Sequence, residues 1–255
     1  MAYNEFAYFY DEFNGEADYD ALYAHIHAKL KEHGIHDGIL ADLGCGTGEL
    51  TLMLTQAGYD MIGIDQSEEM LCVVRDKAEQ LGLSGRLLLL RQDLLKLDLY
   101  GTIRGAVSTF DTFNHIPDLD TAIANAGFFM EKGGVFLFDM NTPHKFRTVY
   151  GNNAYVLEAE RPEENGGTDI FCAWQNFYDE KTRVCDFDLS IFEEQPDGSY
   201  LRSDEYQQER CYDLEEIRSA LATSGMELLG LFSDYRFSAP TGQTERWYFA
   251  ARAIK

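Results

Sequence analysis

The feature that most constrains the fold of this chain is a regular alternation of two kinds of segment between residues 38 and 141. Short apolar runs, typical of buried strands, alternate with segments whose apolar residues recur at helical spacing. The apolar runs are GILADLG, YDMIGID, GRLLLLRQDLL, GAVSTFD and GGVFLFDMN. Successive parallel strands need a crossover connection, which a helix usually supplies. The alternation therefore predicts an α/β fold, doubly wound, with a mostly parallel sheet covered by helices on both faces.

A second pattern occupies roughly residues 150–212, where apolar and polar residues alternate at period two between turn signals. It predicts an inserted antiparallel β-meander. The α/β pattern resumes at residue 213, and the spacing of Leu22, Ile26 and Leu30 predicts a helix before the first strand. We therefore expect an N-terminal helical cap over residues 1–36, a core over 37–141 and 213–255, and a β subdomain over 142–212.

Charge and cysteine content exclude several functional classes. The 255 residues include 44 acidic and 21 basic side chains, a net charge of −23, with no basic stripe to follow a phosphate backbone, so we expect no nucleic-acid partner. No apolar run approaches the ~20 residues of a membrane span, and we expect no membrane partner. Five scattered cysteines without CxxC spacing argue against disulfides and zinc. With no signal-peptide pattern at the amino terminus, we expect a cytoplasmic protein without a bound metal.

The stretch ADLGCGTGEL places three glycines, Gly44, Gly46 and Gly48, between the first predicted strand and the first helix of the core. A glycine-rich turn at this place lets the backbone approach a ligand beside a helix N-terminus. A dinucleotide fingerprint needs its third glycine where this chain has Glu49, and a P-loop needs a GK[ST] that is absent from the sequence. The spacing therefore favours a ligand without phosphate.

Four motifs at successive strand ends resemble those of class I S-adenosylmethionine-dependent methyltransferases. They are ADLGCGTGEL after strand one, IGIDQSEEM at strand two, LLRQDLL at strand three and STFDTFNHIPD after strand four. RWYFAARAI resembles the last strand of that family, which runs antiparallel to the others. The resemblance covers residues 37–141 and 213–254. It implies a Rossmann-like seven-stranded sheet with an antiparallel last strand.

The resemblance also implies S-adenosylmethionine as cofactor and S-adenosylhomocysteine as product. In this interpretation Asp42 faces the ammonium group, Asp65 binds the ribose hydroxyls, and Asp93 with the Leu94 N–H reads the adenine edge. Aromatic residues of the N-terminal segment could close over the sulfonium cation. The predicted cofactor-binding residues are Tyr10, Tyr19, Asp42, Gly44, Cys45, Gly46, Thr47, Gly48, Asp65, Gln66, Met70, Gln92, Asp93, Leu94 and Phe110.

The segment DTFNHIPD is similar to the corresponding loop of glycine N-methyltransferase-like enzymes, which also place Asn and His before Pro-Asp. The candidate catalytic residues are therefore Asp111, Asn114 and His115. They could deprotonate an amine acceptor, whereas His115 could instead only anchor the loop to backbone.

The resemblance therefore implies methyl transfer to a small-molecule acceptor, by this analogy an amine. The β subdomain and the N-terminal helix would wall the acceptor, or the subdomain strands could pair across a homodimer. A non-catalytic module that binds the cofactor as a sensor or scaffold is the alternative.

Overall fold

The structure, a computed structural model, describes residues 18–160, 169–235 and 238–254. Its strands are β1 (Ile39–Leu43), β2 (Asp60–Asp65), β3 (Leu87–Arg91), β4 (Ile103–Ser108), β5 (Met130–Asn141), β6 (Ala154–Glu160), β7 (Asp169–Asp179), β8 (Val184–Glu194), β9 (Tyr200–Arg210), β10 (Met226–Phe232) and β11 (Arg246–Ala253). Its longer helices are α1 (Tyr19–Glu32), α2 (Glu49–Gln56), α3 (Glu68–Gln80), α4 (Leu119–Phe129) and α5 (Leu214–Thr223). Short 3-10 turns lie at Ser84–Arg86, Leu94–Lys96 and Thr112–His115, and residues 143–150 form a further helical segment.

Seven strands form the larger sheet, in the order β10-β11-β5-β4-β1-β2-β3. The pairs among β1 to β5 are parallel, whereas β11 runs antiparallel to both of its neighbours, β5 and β10. The predicted doubly wound sheet with an antiparallel last strand is confirmed. That strand lies between β5 and β10 and not at the edge.

The predicted β-meander is confirmed as a separate antiparallel sheet in the order β6-β7-β8-β9. One face of this sheet buries an apolar cluster that includes Cys172, Phe187 and Leu189 together with Phe146 from the preceding helical segment. Period-two alternation therefore gave the correct strands, because one face of the sheet is buried and the other is not.

Helices cover the two faces of the large sheet with separate apolar clusters. The predicted stripe of α1, Leu22, Ile26 and Leu30, is fully buried against Leu40 and Val107 of the sheet. The N-cap of α3 is a short polar side chain, since Ser67 accepts a hydrogen bond from the Met70 N–H at 3.1 Å. Among the described residues, no helix is both long and apolar enough to cross a bilayer.

The order of the strands fixes where a ligand can bind. β1 lies between β4 and β2, so the loops after these strands leave in opposite directions and open a crevice at their carboxyl ends. The small sheet reaches this edge through β9, because the Asn114 amide donates to the Arg210 carbonyl at 2.9 Å. The glycine loop, the loop after β4 and the end of β9 therefore meet at one place.

Candidate functional site

A cavity of about 480 Å³ opens at the carboxyl ends of β1, β2 and β4. Most of the predicted cofactor-binding residues line it, namely Tyr19, Asp42, Gly44, Cys45, Gly46, Thr47, Gly48, Asp65, Gln66, Met70, Gln92, Leu94 and Phe110. His115, from the predicted catalytic set, lines the same cavity. Residues spread over a hundred positions of sequence are thus brought to one crevice.

Of the predicted site residues that the structure describes, three do not line the cavity. Tyr10 lies outside the described residues. Asp93 caps the turn Leu94–Lys96, where its Oδ1 accepts from the Leu95 N–H at 2.9 Å. Asp111 and Asn114 lie behind the wall and bind other protein groups. These three side chains therefore do not line the cavity. The adenine role of Asp93 and the catalytic roles of Asp111 and Asn114 stay predictions.

The three glycines of the loop have positive φ angles, 78° at Gly44, 53° at Gly46 and 83° at Gly48. A Cβ at Gly44 would collide with the Thr112 side chain, and one at Gly48 would lie 2.6 Å from a methyl carbon of Val74. Only at Gly46 would a Cβ meet open space. The glycines thus serve the turn and the packing of two neighbours first, and the loop backbone forms the cavity floor as a result.

Asp42, at the end of β1, offers an unpaired acceptor to the cavity. Its side chain is 2% exposed, and its Oδ2 accepts from the Thr51 hydroxyl. Its Oδ1 has no hydrogen-bond partner among the described residues. Burial raises the pKa of Asp42 to about 7. The hydrogen bond from Thr51 lowers the pKa, and the negative charge of Asp65 raises it further. Because buried acceptors are usually hydrogen-bonded, this oxygen is suited to accept a hydrogen bond from a cationic group of a ligand.

Asp65, at the end of β2, holds the glycine loop in place. Its Oδ2 accepts from the Gly46 N–H and its Oδ1 from the Ser67 N–H, each at 2.9 Å. Burial raises its pKa, while these hydrogen bonds oppose the rise. Each carboxylate oxygen keeps a lone pair beyond these bonds, so Asp65 can also accept from two hydroxyls of a ligand.

The loop after β4 is held in a strained conformation by a buried ion pair. Phe110 and Asp111 have left-handed φ angles of 55° and 54°. The Asp139 carboxylate accepts both of their N–H groups, at 3.0 and 2.7 Å. Arg246 binds Asp139 at 2.5 Å and Asp111 at 2.6 Å. This clamp aims the Phe110 ring at the cavity, 5.3 Å from the ring of Tyr19.

Sequence reasoning missed both members of the clamp. Asp139 lies within the apolar run GGVFLFDMN and Arg246 begins RWYFAARAI, on adjacent strands. A charged residue inside an otherwise apolar strand pattern is rarely buried without a partner. That signal was available, but only the pairing of β5 with β11 shows which two charges meet.

Asn114 and His115 both tie the loop after β4 to the β subdomain. The fully buried Asn114 donates to the Arg210 carbonyl at 2.9 Å and accepts from the Asn141 N–H at 2.8 Å. His115 Nδ1 lies 2.9 Å from the Gln208 carbonyl, and because that carbonyl can only accept, Nδ1 carries the proton. Burial lowers the pKa of His115, although Asp111 and the Gln208 carbonyl oppose this. The imidazole is therefore neutral near pH 7, with its lone pair on Nε2.

A partly buried polar cluster surrounds His115. Ligand atoms of Asp111, His115 and Glu209 all lie within 4.8 Å of one another. Burial and the charge of Asp111 raise the pKa of Glu209 well above its ordinary value. Burial opposes ionisation of Asp111 as well, but the positive charges of Arg246 and Lys145 hold its pKa below the ordinary value. These residue types bind divalent metals, yet here the Arg246 guanidinium already pairs with the Asp111 carboxylate; the absence of a metal stays a prediction.

The β subdomain contributes one wall of the cavity through Tyr206, Gln207 and Gln208 of β9. The exposed pair, Tyr206 and Gln208, donates to Asp186 on β8. Gln207 is 6% exposed, and its Nε2 has no hydrogen-bond partner among the described residues. Sequence reasoning missed all three, because period two identifies the strand but not which end of it faces the crevice.

A family model described as a methyltransferase domain matches residues 40–134. A putative methyltransferase of Bacillus subtilis, YqeM, is 29% identical over 100% of this chain and 98% of its own length. An uncharacterized methyltransferase of Bacillus cereus is 31% identical over 64% of this chain and 74% of its own length.

Solved structures match along the whole chain. The crystal structure of an S-adenosylmethionine-dependent methyltransferase from Clostridium acetobutylicum has a TM-score of 0.86 at 28% identity, covering 99% of each chain. The sugar N-methyltransferase KedS8 from Streptoalloteichus has a TM-score of 0.78 at 16% identity, over 99% of this chain and 94% of that one. The second likeness concerns the fold alone.

Proposed function

The chain belongs to the class I S-adenosylmethionine-dependent methyltransferases, and from this premise we propose that it methylates the nitrogen of a small-molecule amine. The observation that carries the proposal is that one cavity joins two kinds of group. Asp42 presents an unpaired, buried acceptor at one wall, and His115 presents a neutral imidazole at another.

The cavity suits S-adenosylmethionine in its donor and acceptor groups. The unpaired Oδ1 of Asp42 matches an α-ammonium group, and Asp65 retains acceptor capacity for vicinal hydroxyls. The open space above Gly46 lets a ligand lie directly on the loop backbone. The cofactor supplies an electrophilic methyl group and departs as the neutral thioether S-adenosylhomocysteine.

The protein's own part of the reaction is to orient the acceptor and to remove a proton. An amine nitrogen forms the new bond to carbon with its lone pair, so a protonated acceptor must lose its extra proton in the site before the transfer. The Gln208 carbonyl fixes the tautomer of His115, with the proton on Nδ1, so the lone pair that would take the acceptor's proton is on Nε2. Anchoring and base function are thus compatible in one residue. Phe110 and Tyr19, held by the clamp and by α1, keep water from the reacting atoms.

Three observations support an amine over other acceptors. The loop DTFNHIPD resembles that of glycine N-methyltransferase-like enzymes. A structural neighbour is described as a sugar N-methyltransferase. The imidazole lining the cavity is neutral near pH 7 and suited to deprotonating an ammonium, whose proton is more acidic than that of an alcohol.

The test is an acceptor screen with the purified protein and S-adenosylmethionine. Small primary amines, phenols, alcohols and carboxylates are supplied in parallel, and S-adenosylhomocysteine and methylated products are measured by mass spectrometry. We expect N-methyl products from amines alone. Products from phenols or carboxylates only would refute the amine, and cofactor binding without any transfer would favour a sensor or scaffold.

The remaining parts of the proposal concern partners and location. We propose a small-molecule acceptor and no nucleic-acid or membrane partner, in line with the net charge of −23. All five cysteines are free thiols, which is typical of a reducing compartment and supports a cytoplasmic location. A homodimer through the β subdomain remains part of the proposal, and analytical ultracentrifugation tests it.

A further inference from the structure

Gln207 is a buried amide that the fold itself does not use. Its side chain is 6% exposed, yet Nε2 has no hydrogen-bond partner in the described part of the chain, and the residue lines the cavity. A buried donor left without an acceptor destabilises a protein, and most such groups are paired. Its neighbour Gln208 shows the ordinary arrangement, because Nε2 of Gln208 donates to Asp186 at 2.6 Å. Because Gln207 also lines the cavity, its unpartnered donor is available to a ligand oxygen.

The position of Gln207 assigns that oxygen to the acceptor. Gln207 and Glu209 share the buried face of β9, and Glu209 belongs to the cluster around His115. The next residue, Gln208, holds His115 through its carbonyl. Gln207 is thus two residues from Glu209 on the same face of β9, in the wall that the β subdomain contributes to the cavity that His115 also lines.

The charge of the cavity indicates whether that ligand oxygen is neutral or anionic. Four acidic residues line the cavity, Asp42, Glu49, Asp65 and Glu69, against one basic residue, Arg91. Such a wall disfavours an anionic acceptor. Gln207 itself is a neutral donor, suited to a hydroxyl or carbonyl oxygen.

We propose that Gln207 determines acceptor specificity by donating a hydrogen bond to a neutral hydroxyl or carbonyl oxygen on a carbon near the acceptor amine. The substrate class is then an amino alcohol or an amine bearing a carbonyl group, and not a plain alkylamine or an amino acid carboxylate. This inference rests on the proposed N-methylation.

The experiment compares matched acceptors in the wild type and in Gln207→Met, which keeps the volume and removes the donor. The pairs are 2-aminoethanol with propylamine and 2-aminocyclohexanol with cyclohexylamine, and glycine represents the carboxylates. Gln175→Met is the control, because Gln175 is exposed on β7 and does not line the cavity. Three quantities are measured: kcat/KM for each acceptor, the Kd of S-adenosylmethionine, and the Tm of the ligand-free protein.

In the wild type we expect kcat/KM at least about tenfold higher for the hydroxyl-bearing member of each pair and for 2-aminoethanol over glycine. Gln207→Met should bring each pair close to equality, with an unchanged Kd for S-adenosylmethionine and an equal or higher Tm. Gln175→Met should behave as the wild type.

Each other outcome has a distinct meaning. An unchanged ratio in Gln207→Met overturns the specificity role and leaves N-methylation standing. A tenfold loss of cofactor affinity would make Gln207 a cofactor ligand, and a Tm lowered by several degrees would make it structural; either overturns the inference. If S-adenosylmethionine binds but no amine reacts, the proposed function fails and the inference fails with it.

Discussion

Lowering the pH from about 7.5 to about 6 should weaken the binding of S-adenosylmethionine roughly eightfold, because Asp42 becomes protonated. Burial raises the pKa of Asp42 to about 7 in the ligand-free protein. If only the carboxylate accepts the ammonium group, the apparent Kd rises about 1.3-fold at the higher pH and about 11-fold at the lower one. The ammonium group itself stays mostly protonated over this range, since α-amino groups have a pKa of about 8.

The assay is isothermal titration of the cofactor at both pH values, in the wild type and in Asp42→Asn. The variant keeps the shape of the side chain but loses its charge, so the Kd should rise by about 10- to 100-fold and lose its pH dependence. Asp76→Asn is the control, because Asp76 is exposed on α3 and does not line the cavity. 5′-Methylthioadenosine, which lacks the ammonium group, should bind independently of pH. Wild-type affinity in Asp42→Asn would refute the reasoning.

The same pKa shift predicts the stability of the ligand-free protein. The native pKa of Asp42 lies above the unfolded value of 3.8, so its contribution is fully present below pH 3.8 and is lost as the pH rises to about 7. The full loss corresponds to about 4 kcal/mol. Asp42→Asn should therefore become more stable than the wild type towards pH 8, as measured by urea unfolding, and saturating cofactor should reduce the difference.

Three further predictions address other parts of the site. His115→Asn retains a donor for the Gln208 carbonyl but cannot take a proton near neutral pH, so kcat should fall by about 10²-fold with little change in cofactor Kd; an unchanged kcat would leave His115 as an anchor only. Arg246→Met leaves a buried carboxylate pair without its cation and should lower the free energy of unfolding by about 3–5 kcal/mol, and it should weaken cofactor binding through Phe110. Dialysis against EDTA should leave activity unchanged, because the guanidinium already neutralises Asp111; a rate restored only by a divalent metal would contradict this.

The fold could be predicted from the sequence because its signals are local and repeated. Each strand of the core is a short apolar run, and crossover helices have capping residues next to them in sequence, such as Ser67 for α3 and Asp118 for α4. The glycine loop could also be predicted from its motif. The motif does not show, however, that Gly44 and Gly48 pack against the side chains of Thr112 and Val74. The positions of the core strands and of the glycine loop can therefore be predicted from local sequence patterns.

The inner details of the site depend on contacts between distant residues and could not be predicted in the same way. Asp93 matched its motif, but its carboxylate caps the turn that follows. Asn114 matched as well, yet its amide joins β5 to β9. Gln207 matched no motif, and the motif RWYFAARAI gave Arg246 a strand but no partner; the packing of β9 and β11 against the crevice gives both residues their positions.

The cavity is the place where several local rules of folding are broken together. Among the described buried polar atoms without a partner, Asp42 Oδ1 and Gln207 Nε2 belong to residues that line it. Phe110, which also lines it, has a left-handed backbone that is held by the Asp139 and Arg246 clamp. Each feature costs stability in the ligand-free chain, of the order of 1–3 kcal/mol. Asp42 lies on the core and Gln207 on the β subdomain, so cofactor and acceptor together would satisfy both and bridge the two sheets. At these residues the penalties lie where ligand binding can offset them, whereas the other described unpaired atoms, on Trp174, Asn176, Tyr178 and Arg210, belong to residues that do not line the cavity.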